Sequence, residues 1–193
     1  MVAAFRRRYP GIELTLHVAN SGVIEQRVRD GDVDLGVVGG HVLGAGERCV
    51  AAGLLDELVL IAGRGHPWMR RGHVSRGELI RERLLVRETG SATRQVMERA
   101  LQEAGIAPGA IMELNHTEAI KESVIAGLGV AFVSAYAVRS EVRAKELAVV
   151  RVRGLRIRRH FHAIHAEGRV LPASAQAFLG VLDDEAPRLA AGR

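Results

Sequence analysis

The sequence predicts an α/β fold with mostly parallel sheets, and three observations carry that reading. Apolar segments of period two alternate with segments of helical period almost throughout. The chain has 193 residues and 48% hydrophobic side chains, enough for a sizeable core. About eight strands are too many for one narrow sheet and suggest two modest ones, with the chain leaving a first unit, building a second and returning.

The elements follow in order. "VAAFRRRY" reads as the end of a helix stopped by Pro10. "GIELTLHVAN" alternates Ile12, Leu14, Leu16 and Val18 against Glu13, Thr15 and His17, which predicts a strand with one covered face. "SGVIEQRVRDGD" reads as a short helix halted at Gly31, and "VDLGVVGG" as a buried strand. "DELVLIAGRGHPW" predicts a strand closed by Gly65 and Pro67. "SRGELI" has the Ser75 to Glu78 spacing of a capping box. "RLLVRE" is a strand and "TRQVMERALQEAG" a helix with Val96, Met97, Ala100, Leu101 and Ala104 on one face. "AIMELNH" (strand), "TEAIKESVIAGLG" (helix), "VAFVS" (strand) and "AYAVRSEVRA" (helix) continue the alternation. "LAVVRVRG" and "RIRRHFHAIHA" read as extended, and "PASAQAFLGVLDDEA" as a final helix with Pro172 near its first turn. Glycine and charge interrupt the pattern near "GRGHPWMRRGH" and "RVRGLRIR", which places the expected unit boundaries at 1–68 plus 151–193 and at 69–150.

Composition excludes several classes. No apolar run approaches a membrane span and "MVAAFRRRYP" lacks a signal-peptide core, so a cytoplasmic protein without membrane contact is expected. Cys49 is the single cysteine, so no disulfide framework exists within the chain. The net charge of +5 is spread in ones and twos, and aromatics are only 4%, too few for stacking on single-stranded nucleic acid.

The chemistry-bearing segments centre on "VRETGSATRQVMERALQEAG". Backbone N–H groups at the start of its helix, with hydroxyls from Thr89, Ser91 and Thr93 and charge from Arg94, suit a carboxylate, phosphate or sulfate. The residues alone support equally that Ser91 or Thr93 only caps the helix. No GxxxxGK[ST] loop is present. Asn115, His116 and Thr117 lie at a second strand-to-helix handover and would share the same sheet end. "AGLGV" follows a helix, where a dinucleotide fingerprint must follow a strand. His160, His162 and His165 lack a metal spacing, and "RDGDVDLG" lacks the closing glutamate of a calcium loop. Ser134 has no nucleophile elbow around it and Cys49 no base beside it in sequence. No catalytic set, metal or cofactor is expected, and a binding function is favoured over an enzyme.

Taken in order, "FRRRYPGIELTLHVANSGVIEQRVRDGDVDLGVVGG", "DELVLIAGRGHP", "LLVRETGSATRQVMERALQEAG", "NHTEAIKESVIAGLGVAFVSAYAV" and "PASAQAFL" resemble the effector-binding domain of LysR-type transcriptional regulators, nearly end to end. Within that family the chain looks most similar to the branch containing regulators of sulfur assimilation and carbon fixation. The resemblance implies two Rossmann-like subdomains joined by two crossing strands, as in type 2 periplasmic binding proteins, with a small and anionic effector in the cleft. It implies effector contacts from Glu88, Thr89, Gly90, Ser91, Thr93 and Arg94, from Asn115, His116 and Thr117, and from Ser21, Gly39 and Gly40. It also implies a homodimer, and promoter DNA contact only through a winged helix-turn-helix that this chain lacks. The family's domain opens with a strand and a Ser/Thr-bearing loop, whereas this chain starts inside the following helix. The expectation is lowered stability, or a sheet edge satisfied by a partner chain, and a higher melting temperature when upstream residues are added. A solute-binding protein of a transporter and a two-domain α/β enzyme are the alternative readings.

Overall fold

The computed structural model describes residues 1–40 and 47–191. In chain order the elements are α1 (Val2–Arg8), α2 (Ser21–Asp30), β1 (Gly36–Gly39), β2 (Glu47–Gly63), α3 (Trp68–Arg71), β3 (His73–Val74), α4 (Arg76–Arg81) and β4 (Arg83–Arg87). There follow α5 (Ala92–Glu103), β5 (Ala110–Leu114), α6 (Thr117–Ile125), β6 (Val130–Ser134), a 3₁₀ turn (Ala135–Val138), α7 (Arg139–Arg143), β7 (Leu147–Val152), β8 (Ile157–Ala166) and α8 (Ala173–Ala191). The chain forms two compact units, unit 1 from Met1–Leu55 with His160–Arg193 and unit 2 from Asp56–Arg159. The chain therefore passes between units inside β2 and β8. The glycine-rich breaks near 64–72 and the charged stretch at 151–156 lie within unit 2. A crossing made by a continuous strand leaves no glycine or charge break in the sequence.

The central strands β4 and β6 of unit 2 are covered on both faces, which is why they are nearly continuous apolar runs. β4 runs parallel to β5 (Val86 opposite Glu113) and to β6 (Leu84 opposite Val130). β2 is antiparallel to β6, with Leu58 opposite Ser134, and to β7, with Leu60 opposite Val150. The sheet is therefore mixed where a mostly parallel one was expected: strand–helix–strand repeats set the parallel pairs, and the entering strand β2 makes the antiparallel ones. The period of two divides the core. Leu58, Leu60, Leu84, Val86 and Phe132 meet Trp68, Leu79, Val96, Met97 and Leu101 on one face. Ile61, Leu85, Ala131 and Val133 meet Ile120 and Val124 of α6 on the other. The approach of α6 to β2 is so close that a Cβ on Gly63 would collide with the Val124 carbonyl oxygen. α4 carries both halves of the expected capping box: the Glu78 N–H donates to Ser75 Oγ (3.3 Å) and the Ser75 N–H to Glu78 Oε2 (2.8 Å).

In unit 1, β1 is antiparallel to β8, with Val38 opposite His162, and Ile24, Val28, Val38 and Ile164 form a small core. Phe5 of α1 packs on Phe178 of α8, and Arg8 pairs with Asp184 at 2.7 Å. The strand expected over residues 12–18 does not form. No secondary structure is assigned there, Ile12 and Leu14 are half-buried, and Leu16 and Val18 are 66% and 86% exposed. Alternation supplies a face but not a neighbour: a strand exists only through the ladder it shares, and no described strand hydrogen-bonds to this segment. The final helix continues past Ala186 through Pro187, which has no N–H to give.

Candidate anion site of unit 2

The parallel register of β4, β5 and β6 puts three strand ends on one edge of unit 2. The turn 88–91 leaves β4, residues 115–117 leave β5, and Ser134 ends β6. Antiparallel β2 brings Asp56 to the same edge, just before Leu58 and its partner Ser134. Ligands in open α/β sheets bind at this carboxyl edge.

At the first of these turns the Ser91 N–H donates to the Glu88 carbonyl (3.2 Å), and Gly90 takes a φ of 89°, which a side chain would resist. Ser91 occupies the N-cap position of α5 and is buried, yet its hydroxyl makes no cap bond. The N–H groups of Ala92, Thr93 and Arg94 have no acceptor among the described residues, the first intrahelical bond being Gln95 N–H to Ser91 O. α6 begins the same way, with His116 at the N-cap and no side-chain cap bond. By contrast, α2 is capped by Asn20 Oδ1 on the Val23 N–H and α4 by its capping box. Uncapped N–H groups carry the positive end of the helix dipole and are receptive to an anion.

Charge around these turns is tightly paired. Arg87 holds Glu88 bidentately (2.7 and 2.9 Å) and donates to Thr117 Oγ1 (2.9 Å), tying the β4 turn to the start of α6. Arg94 is bound by Glu98 and Glu113 and by the Arg87 carbonyl, and those carboxylates raise its pKa above the ordinary guanidinium value. Thr89, Asn115 and His116 are exposed, and Thr93 and Thr117 half-buried. Ser21, Gly39 and Gly40 belong to unit 1: Ser21 opens α2, Gly39 ends β1, and Gly40 N–H donates to His160 O (2.8 Å).

Four further residues of unit 2 complete the edge. Asp56, fully buried, receives Arg159 Nε (2.8 Å) on one oxygen and Ser134 Oγ (2.8 Å) on the other. Arg159 Nη1 then donates to Thr93 Oγ1 (2.9 Å). Arg87 is the fourth, through its link to Thr117. The sequence held one signal for Arg159: it falls in phase with buried Ile157 on β8, so it is an arginine on an inward face. An apolar recess of about 480 Å³ lined by Leu84, Val86, Met97, Leu101, Ile106 and Ile111 lies elsewhere on unit 2, toward the C-terminal end of α5. No cluster of three metal-binding side chains occurs among the described residues. No helix among them is long and apolar enough to cross a membrane.

The chain has the type 2 periplasmic-binding-protein-like α/β fold in two units, and its second unit gathers uncapped helix starts, hydroxyls and a buried arginine on one strand edge. The family model described as the LysR substrate binding domain matches residues 1–187, and the chain belongs to that family. It is 39% identical over 188 residues to the HTH-type transcriptional regulator CbbR of Xanthobacter flavus, covering 95% of this chain and 56% of that protein. It is 33% identical over 192 residues to the HTH-type transcriptional activator CmpR of Synechocystis sp. (strain ATCC 27184 / PCC 6803 / Kazusa), covering 98% and 63%. Thus the chain spans little more than half the length of these curated relatives, which are named as regulators and not as enzymes. Among solved structures it is similar to the regulatory domain of Synechocystis PCC6803 CcmR in complex with 2-PG, with a TM-score of 0.84 and 27% identity, covering 95% of this chain and 88% of that one.

Proposed function

We propose that this chain is the effector-sensing domain of a LysR-type transcriptional regulator and that unit 2 holds a small anionic metabolite at the N-termini of α5 and α6. The observation that carries the reading is the uncapped start of α5, where buried Ser91 makes no cap bond and three N–H groups stand without acceptors among the described residues. A donor-only site of this kind favours a carboxylate or phosphate ester over a neutral solute. The CcmR complex with 2-PG supports the same chemistry in a relative. In the proposed binding mode Thr89, Gly90, Ser91 and Thr93 grip the anion, with Asn115, His116 and Thr117 beside them. Glu88 and Arg94 shape the turn through their ion pairs. In the full-length regulator the domain would act as a homodimer and reach promoter DNA through a separate DNA-binding domain.

Titration calorimetry with 2-phosphoglycolate, glycolate and inorganic phosphate tests the reading. We expect 2-phosphoglycolate to bind the wild-type chain, and the triple variant T89A/S91A/T93A to bind at least a hundredfold more weakly, about one charge-assisted hydrogen bond's worth or more. Equal affinity in the two proteins would refute the site. Sedimentation of the chain reads its dimerisation, and a monomer at all concentrations would refute that part.

A further inference from the structure

We propose that Arg159 is a positioning residue that fixes Thr93 as a hydrogen-bond donor to the effector, and that Asp56 and Ser134 hold Arg159 in place. The inference rests on the anion-site reading of the α5 N-terminus, and all four residues belong to unit 2.

A hydroxyl can accept or donate, and its proton is free to rotate. At Thr93 that freedom is lost. Oγ1 accepts from Arg159 Nη1, and an arginine has no acceptor to take a proton in return. The Thr93 O–H is therefore left to donate away from Arg159. Thr93 lies in the first turn of α5, between Ala92 and Arg94, whose N–H groups lack acceptors among the described residues. A donor added there joins a set already composed of donors, which suits an oxyanion and disfavours a neutral isostere that needs an acceptor.

Burial gives the arrangement its rigidity. The Arg159 side chain is 6% exposed and that of Asp56 0%. A buried guanidinium is tolerable only with a paired carboxylate. Asp56 provides it while its second oxygen is occupied by Ser134 Oγ, so neither partner can rotate away without losing a bond. Ser134 in turn accepts the Tyr136 N–H (3.2 Å), which fixes its proton toward Asp56. The relay from Tyr136 through Ser134, Asp56 and Arg159 ends on Thr93. The ion pair also explains why a cation can sit beside the positive end of a helix: Asp56 neutralises it, and the effector's charge is left to the helix.

The test is calorimetry with 2-phosphoglycolate on the 193-residue chain, using T93V, T93S, R159M, R159K and the pair T93V/R159M. If Arg159 acts through Thr93, T93V and R159M each weaken binding by about tenfold or more, the general worth of a hydrogen bond to a charged group. The double variant is then no weaker than the weaker single one, because both remove the same donor. T93S, which keeps the hydroxyl, and R159K, which keeps a cationic donor, recover most of the affinity. Additive losses in the double variant, or R159M binding like wild type, overturn the inference and leave the anion site standing. Should R159M fail to fold, T93V against T93S decides it, since equal affinities there overturn it too. A wild-type chain that binds none of 2-phosphoglycolate, glycolate and phosphate overturns the underlying site reading and this inference with it.

Discussion

Replacing Ser91 with alanine separates a helix cap from a ligand grip, because the structure contains its own control at Ser75. Both serines occupy N-cap positions in unit 2. Ser75 accepts the Glu78 N–H at 3.3 Å and its hydroxyl donates to Glu78 Oε2 at 2.8 Å, so S75A should cost about 1 kcal/mol, the usual loss of a serine cap. Ser91 makes no cap bond, so S91A should change stability by less than about 0.3 kcal/mol without ligand. Urea unfolding followed by circular dichroism reads both variants from the same unit's transition at a common m-value. With 2-phosphoglycolate at a hundredfold excess over its wild-type Kd, the wild-type gain is about 2.7 kcal/mol. S91A should keep only about half of it for a tenfold loss of affinity. If S91A costs as much as S75A in ligand-free buffer, Ser91 is a cap in solution and the reasoning fails.

Other predictions follow from contacts within unit 2. G63A should destabilise by about 1–3 kcal/mol, since its Cβ must push α6 off β2, and a melting temperature unchanged within a degree would contradict that close approach. Lys121 is buried among Glu141 (2.6 Å), Glu118 (2.7 Å) and the Ala137 carbonyl (3.1 Å); burial lowers its pKa, and the two carboxylates outweigh that and raise it. K121M should therefore cost about 2–3 kcal/mol, less than a fully buried pair because Glu118 is 77% exposed, as chemical denaturation would measure. The Glu78 carboxyl is held at about 2, against 4.5, by hydrogen bonds from Arg71 and from Ser75. Its contribution is then complete above about pH 4.5 and lost as pH falls toward 2. E78Q should flatten the pH dependence of stability in that window alone, and a wild-type slope in the variant would count against it.

Most helices and the buried strands were legible because their signals are local. The Ser75 to Glu78 spacing, the apolar face of Val96, Met97 and Leu101, and the run Val130 to Ser134 each specify structure without knowing their neighbours. The segment Ile12 to Val18 had an equally clear period and forms no strand, since pairing depends on a second chain segment that alternation cannot supply. The candidate site divides in the same way. Thr89 to Thr93 and Asn115 to Thr117 stand at strand-to-helix handovers visible in the sequence. Asp56 and Arg159 do not: they lie far apart in the chain and read as one more acidic and one more basic residue until β2 and β8 bring them together. Ser134, weighed as a nucleophile without an elbow, instead donates to Asp56.

The division of the chain has a consequence during synthesis. Unit 2 is one continuous stretch, so all its ladders can close once Arg159 has left the ribosome. Unit 1 cannot follow that order: among the described residues β1 pairs with β8, and Phe5 of α1 packs on Phe178 of α8. Phe5 and the edge of β1, translated before unit 2, must therefore wait until β8 and α8 have emerged. Translational pausing or chaperone capture should act on unit 1, and a circular permutant that makes unit 1 contiguous would remove the wait.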